Sequence, residues 1–288
     1  MSLAIVCGSG GYRVVFIQGV LSVFEAEGLR GDCYGGTSAS GLAAACAAIG
    51  QTNTVGVDYW RKALAFKQTV ERGMSDVMLA IIDEWSPMVK ERIFLEESPR
   101  YIIPASAVIT PEGAEITQSG QARRLGRKIL LNAARRRPDP WVAENLESHL
   151  FDTKANGHLR LTQENFDEVM YASTRMMHAW DVPAEIGGKP YVDASYLCAI
   201  PAVEAAEMGY DEVIAIAADP PGPLYRDIFG GREVPGEVND AQIHTILPEF
   251  EVGEKGADFT DATDEGLALV YAHGQDQARA FLKTYKRF

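Results

Sequence analysis

No apolar run in this 288-residue chain approaches the roughly 20 residues that a bilayer-spanning helix requires. The opening Met1-Ser2-Leu3-Ala4-Ile5-Val6-Cys7 has no basic flank ahead of its apolar residues, which argues against a secretory signal. Cysteine is scarce. Cys7, Cys33, Cys46 and Cys198 sit in apolar surroundings without paired spacing, so free buried thiols in a reducing, cytoplasmic setting are expected. Zinc-type Cys/His spacing is missing, as is a Gly-Lys-Ser/Thr phosphate loop, and neither a metal nor a cofactor is expected. Positive charge is in deficit: the formal net charge of -13 argues against general nucleic-acid binding. His149, His158, His178, His244 and His273 have no flanking motif that marks a catalytic base. His178, between Met177 and Ala179, reads as a core or pocket histidine. With no internal repeat and no visible boundary, residues 1–288 read as one domain.

What is present is an alternation of strands and helices. Leu3 to Cys7 is a continuous apolar run, as in a strand covered on both faces. A loop through Gly8-Ser9-Gly10-Gly11 leads to a helix over Val14 to Glu27, closed by Gly28. Asp32 to Tyr34 leads to a turn and the Ala-rich helix Leu42 to Ile49. The pattern is helical from Asp58 to Arg100, where Trp60, Leu64, Phe66, Met78, Ile81, Ile82 and Trp85 form core or the wall of an acyl pocket. Pro104 to Gln118 suggests a strand and turn. Later elements are a helix over Gln163 to Ala172, a Gly187-Gly188-Lys189-Pro190 turn, and a helix from Ala202 to Met208. A strand from Glu212 to Ala217 follows, then a loop over Pro220 to Asp240 lying near the site. A strand from Ile243 to Leu247 and a closing helix from Asp264 to Lys286 complete the chain. The expected fold is α/β: three α/β/α layers around a mainly parallel central sheet.

The turn after Tyr34 carries the chemistry. In Gly35-Gly36-Thr37-Ser38-Ala39-Ser40-Gly41, a serine stands at the apex of a strand–turn–helix, the geometry of a nucleophile elbow. The helix N-terminus behind it favours developing negative charge. Small residues are required two positions either side, and Gly36 and Ser40 supply them. Ser38 is the candidate nucleophile. The competing reading is loop punctuation with an ordinary Ser/Thr cap ahead of a helix. A second imitation, Gly8-x-Gly10 with Asp32 downstream, lacks the third glycine of a dinucleotide-binding turn, because position 13 is arginine.

Three separated segments together resemble the patatin-like phospholipases. Ser9-Gly10-Gly11-Tyr12-Arg13-Val14 is similar to that family's Gly-Gly-Gly-x-Arg/Lys-Gly loop. Gly36-Thr37-Ser38-Ala39-Ser40 is similar to its Gly-x-Ser-x-Gly elbow. Tyr191-Val192-Asp193-Ala194-Ser195, followed by Ile200-Pro201-Ala202, stands where the family has Asp-Gly-Gly/Ala and then Asn-x-Pro. The resemblance implies a patatin-like fold and a Ser38–Asp193 dyad without histidine or metal. It also implies an oxyanion hole from Gly10 and Gly11, with Arg13 supporting the loop. The implied activity is ester hydrolysis of the esterase or phospholipase A type on a lipid or small ester.

Ser9, Val14, Ser40 and Ala194 each replace a glycine of the family pattern. A degenerate lipid-binding or protein-interaction module and an acyltransferase therefore stand as alternatives. Asp193 also has the reading of a plain turn or cap residue. Arg123, Arg124, Arg127, Lys128, Arg135, Arg136 and Arg137 make a basic amphipathic helix ended by Pro138-Asp139-Pro140. Such a face suits peripheral contact with anionic headgroups, or else a solvated surface paired with the chain's own acids. Oligomeric state is not encoded in any motif.

Overall fold

The computed structural model describes residues 1–70 and 73–285. The chain opens with β1 (Leu3–Cys7), a 3-10 turn over Gly11–Val14, α1 (Val15–Ala26), β2 (Cys33–Gly36) and α2 (Ser40–Ala48). Next come α3 (Thr52–Val55), α4 (Asp58–Lys67), α5 (Met74–Ile93) and β3 (Arg100–Val108). α6 (Pro111–Thr117), α7 (Ala122–Ala134), α8 (Pro140–Asn145), β4 (Leu146–Asp152) and α9 (Phe166–Thr174) follow. The remainder is β5 (Ala184–Ile186), β6 (Lys189–Val192), α10 (Ala202–Glu207), β7 (Glu212–Ile216), β8 (Glu237–Val238), β9 (Ala241–Ile246) and α11 (Asp264–Thr284). Among the described residues no helix is long and apolar enough to cross a membrane.

The strands form one mixed sheet flanked by helices. β3, β2, β1, β7 and β9 are parallel neighbours, while β4, β6 and β8 pair antiparallel at the sides. The two-residue period of each strand sorts its side chains. Leu3, Ile5, Cys7, Tyr34, Tyr101, Ile103, Ile214 and Ile216 belong to the large core shared with α1, α2, α5, α9 and α11. Ala4, Val6, Cys33, Ile102, Val213 and Ala215 face the other way, onto Ala202, Ala205 and Ala206 of α10. The second layer is thin because its residues are small. On the thick side α1 and α11 touch backbone to backbone: a Cβ at Gly19 would stand 2.1 Å from Tyr271 O, and one at Gly274 2.1 Å from Phe16 O.

Several elements differ from the sequence expectation. The helical span from Asp58 to Arg100 is two helices, and Arg100 already belongs to β3; its Glu71 and Arg72 lie outside the described residues. The strand expected from Pro104 starts earlier, and its second half is helix α6 instead. There Thr110 caps the helix by accepting a hydrogen bond from Gly113 N–H, with Pro111 in the first turn, a start signal that the alternation of the segment concealed. β4 was not foreseen, because Leu146-Glu147-Ser148-His149-Leu150 is mostly polar and lies at the edge. The closing helix begins at Asp264, capped by Thr263, and its expected last residue Lys286 lies outside the described residues.

One feature of the sheet brings distant parts of the chain together. Along β3, Ile102 to Val108 pair with Asp152 to Leu146 of β4. Ile102 also pairs with Gly35 of β2, and Ser106 also pairs with Val192 of β6. A residue in a ladder has only two edges, so β2 and β6 share the edge opposite β4. β2 runs parallel to β3 and β6 runs against it, so their C-terminal ends point toward each other. The chain leaves β2 toward Ser38 and leaves β6 toward Asp193.

Candidate active site

Ser38 is built as a strained apex. Its φ is 58°, in the left-handed region that non-glycine residues rarely occupy. The turn below it is too tight for a side chain at position 36, where a Cβ would lie 2.5 Å from Ser40 O. Ser40 holds the elbow actively: its hydroxyl accepts from Thr37 N–H at 3.0 Å and lies 2.9 Å from both Cys7 O and Thr37 O as acceptors. A glycine there could make none of these bonds. From the other side, Ser38 N–H donates to Ser173 Oγ of α9 at 2.9 Å. α2 begins immediately behind, with no acidic side chain in its first turn to oppose negative charge at the apex.

Asp193 meets Ser38 across the gap. Ser38 Oγ donates to Asp193 Oδ2 at 2.9 Å, and both residues are buried. The other carboxylate oxygen, Oδ1, accepts from Ser195 N–H at 2.8 Å and from Ser195 Oγ at 2.5 Å. Asp193 therefore caps the 3-10 turn Ala194–Tyr196 with one oxygen and receives the serine with the other. Its backbone is fixed as well, since its N–H donates to Arg175 O and its carbonyl accepts from Ser106 Oγ. Complete burial raises the carboxyl to about 6, against the opposing pull of the Ser195 and Ser38 hydrogen bonds. A base of that strength is ionised near neutrality yet basic enough to take a proton.

The glycine loop lies beside the elbow. Gly8 N–H donates to Ile216 O, Ser9 N–H to Ala199 O, Tyr12 N–H to Phe259 O and Arg13 N–H to Gly10 O. Between them, the N–H groups of Gly10 and Gly11 donate to no acceptor among the described residues, and Ala39 N–H in the elbow is in the same condition. Gly11 has φ 57°, and a Cβ there would fall 1.8 Å from Phe259 O, so only glycine fits. Arg13 fastens the loop: Nη2 lies 2.6 Å from Asp258 Oδ1, and Nη1 lies 3.3 Å from Glu251 Oε1. Val14 is fully buried in the core.

A narrow slot opens beside Ser38. Gly11, Tyr12, Ser38 and Ala39 line one end, and Trp60, Met74, Met78, Ile81 and Trp180 are among the residues that line the rest. Its free space is about 20 Å³. Of the apolar residues expected as core or pocket wall, Trp60, Met78 and Ile81 form this wall. A wider open basin of about 880 Å³ lies at the opposite end of β2, among Arg30, Asp32, Arg92 and Arg100, and shares no lining residue with the slot.

None of the five histidines makes a hydrogen bond to Ser38 or Asp193 among the described residues; His149 pairs with Tyr191 Oη and His273 accepts from Glu249 N–H. The His178 ring meets Trp180 edge-on and lies tilted to Phe259, and burial, reinforced by Arg127 and Arg123, lowers its pKa. The basic helix sits next to it, because Gly126 of α7 packs on the His178 backbone, where a Cβ would lie 2.5 Å from its N atom. Arg123 pairs with Asp181, and Arg136 bonds and stacks on Tyr225. The basic helix expected to run from Arg123 to Arg137 stops at Ala134, and Arg136 has the left-handed φ of 50°, so Arg135, Arg136 and Arg137 lie beyond the helix. Arg124, Arg127, Lys128, Arg135 and Arg137 are exposed. The loop from Pro220 to Asp240 reaches the back of the Asp193 turn, where Ile228 N–H donates to Ser195 O.

Sequence reasoning missed Ser173, Ser106 and Ser195. Ser106 and Ser173 are single serines in ordinary contexts, and only the tertiary register shows what they hold; Ser195 stands in the Asp193 segment, where an aspartate two residues ahead of it is the local signal for the contact. The chain matches no protein-family model, and no curated protein matches it significantly.

The raised carboxyl predicts a pH-dependent stability. A folded-state pKa above the unfolded value gives a contribution present below about 4 and lost as pH rises through about 6. Asparagine can keep the Ser195 contacts without a charge. Asp193→Asn should therefore gain stability relative to wild type between pH 4 and 7, by about 3 kcal/mol at most, and show no further gain above. Urea unfolding at a series of pH values checks this; a pH-independent difference would count against the buried carboxylate.

Proposed function

We propose that the protein is a serine acyl hydrolase of the patatin-like type, an esterase or phospholipase A-like lipolytic enzyme with a three-layer α/β/α fold. The observation that carries this reading is the 2.9 Å hydrogen bond from the strained Ser38 hydroxyl to buried Asp193. The uncommitted N–H groups of Gly10, Gly11 and Ala39 support it, as does the slot that reaches Ser38. The fitted positions of Val14 and Ser40 favour a functional site over a degenerate one, since each replacement is absorbed by packing or hydrogen bonds.

In this reading Asp193 takes the proton of Ser38 as Oγ attacks the ester carbonyl. The carbonyl oxygen becomes an oxyanion held by the loop and elbow N–H groups, which cost no reorganisation because they are already free. Collapse of the tetrahedral intermediate breaks the ester C–O bond, and the leaving alcohol takes the proton from Asp193. A water molecule then gives a proton to Asp193 and attacks the acyl carbon. The acid leaves, and Ser38 recovers its proton. The exposed cations of α7 (Arg124, Arg127 and Lys128), which packs next to His178, and of the turn after it (Arg135 and Arg137) favour an anionic lipid surface as a peripheral partner. The four free, buried cysteines fit a cytoplasmic setting.

Turnover of a p-nitrophenyl ester should fall by roughly three orders of magnitude or more in Ser38→Ala and Asp193→Asn. In wild type kcat/KM should rise with pH through about 6, because Asp193 accepts a proton only when ionised. Unchanged turnover in Ser38→Ala would sink the reading. Vesicle co-sedimentation tests the surface contact: binding to anionic vesicles should weaken with salt and with Arg135→Ala/Arg137→Ala, and salt-insensitive binding would remove it.

A further inference from the structure

The slot beside Ser38 is small, and the walls around it are fastened. Met74, Val77, Met78 and Ile81 line it from α5, three or four positions apart, so they form one face of that helix. Val77 and Ile81 are at most 3% exposed. The start of α5 is pinned by the buried Ser75 hydroxyl, which accepts from Val182 N–H at 3.0 Å and lies 3.0 Å from Tyr171 Oη. Gly73, just ahead of it, is bridged through the backbone to Trp180, another wall residue. From α4 comes Trp60, its ring edge-on to Tyr12 at 6.3 Å and to Tyr59 at 4.8 Å. The space left within these walls is about 20 Å³, room for about one methyl-sized group.

The position of the slot decides which part of an ester enters it. Gly11 and Ala39, whose N–H groups are uncommitted, line it together with Ser38, whereas Asp193 does not. With the ester carbon at Ser38 Oγ, the alcohol oxygen must face Asp193 to receive its proton, which leaves the slot to the acyl substituent. We infer that Ser38 takes short acyl groups, acetyl above all, and that the α5 face of Met74, Met78 and Ile81 sets this limit. The inference rests on the acyl-hydrolase reading and narrows its substrate to short-chain carboxylic esters. The chemistry is unchanged: Ser38 Oγ bonds to the acyl carbon, the ester C–O bond breaks, the alcohol leaves with the proton from Asp193, and water releases the short-chain acid. The alcohol half stays outside the slot, so the slot does not restrict its size. A longer chain would have to push apart close-packed side chains, and each added methylene costs more there than its own burial returns.

The test compares p-nitrophenyl acetate, butyrate and hexanoate, each rate divided by that ester's uncatalysed rate in the same buffer. Wild type should use acetate with kcat/KM roughly tenfold or more above hexanoate. Met78→Ala and, separately, Ile81→Ala cut back the α5 face and should move the preference toward the longer esters, with circular dichroism confirming that each variant is folded. Methyl- and hexylboronic acid, which add to a serine hydroxyl and set an alkyl group where the acyl group would lie, read the same limit without turnover through tryptophan fluorescence. Hexanoate used as well as acetate by wild type would overturn the short-acyl limit and leave the hydrolase reading standing. An acetate preference that survives unchanged in both folded variants would overturn the role given to α5. Tighter binding of the methyl boronate by a protein that hydrolyses no ester would fault the hydrolase reading and keep the size limit. No turnover together with no preference between the boronates would overturn both.

Discussion

The shared edge of β3 is the constraint on which the site depends. β4 occupies one side of that strand along most of its length, so β2 and β6 must divide the other. Because they run in opposite directions, their ends converge on one gap. Two residues 155 positions apart in the chain are thus brought to hydrogen-bond distance by backbone ladders rather than by flexible loops. Precision of this kind is what a proton transfer between side chains requires.

The surroundings of that gap hold groups in states they would not adopt alone. Ser38 is kept left-handed by the steric demand at Gly36, the Ser40 hydroxyl and the Ser173 acceptor. Asp193 is kept out of water while Ser195 satisfies one of its oxygens, which leaves the other for Ser38. Both arrangements cost stability, as the proposed dyad would require. On the thick side of the sheet, the direct contact with α11 at Gly19 and Gly274 fixes α1, the helix that follows the glycine loop.

Much of this was legible in the sequence where the signal is local. The glycine loop and the elbow announce themselves through small residues at turns, and the strands β1 and β7 through continuous apolar runs; Asp193 has only the local signature of a turn residue and was singled out through the family resemblance. The helix α6 was misread as strand and turn, because the alternation upstream masked its start signal at Thr110-Pro111. What could not be read was register. Nothing near Ser106 or Ser173 says that these hydroxyls brace the site, and nothing near Tyr12 or Trp180 says that they line one slot. The value of Ser40 was hidden for a different reason: against a family pattern it looks like a loss, whereas its hydroxyl replaces glycine's freedom with three bonding partners.

The most direct test of the central claim is covalent trapping. Wild-type protein and Asp193→Asn would be treated with a fluorophosphonate at pH 7.5, followed by intact mass and peptide mapping. The account predicts one adduct per chain on Ser38 of the wild type and strongly slowed labelling of Asp193→Asn, because the carboxylate is what takes the hydroxyl proton. Labelling at another residue, or equal rates in the two proteins, would contradict it.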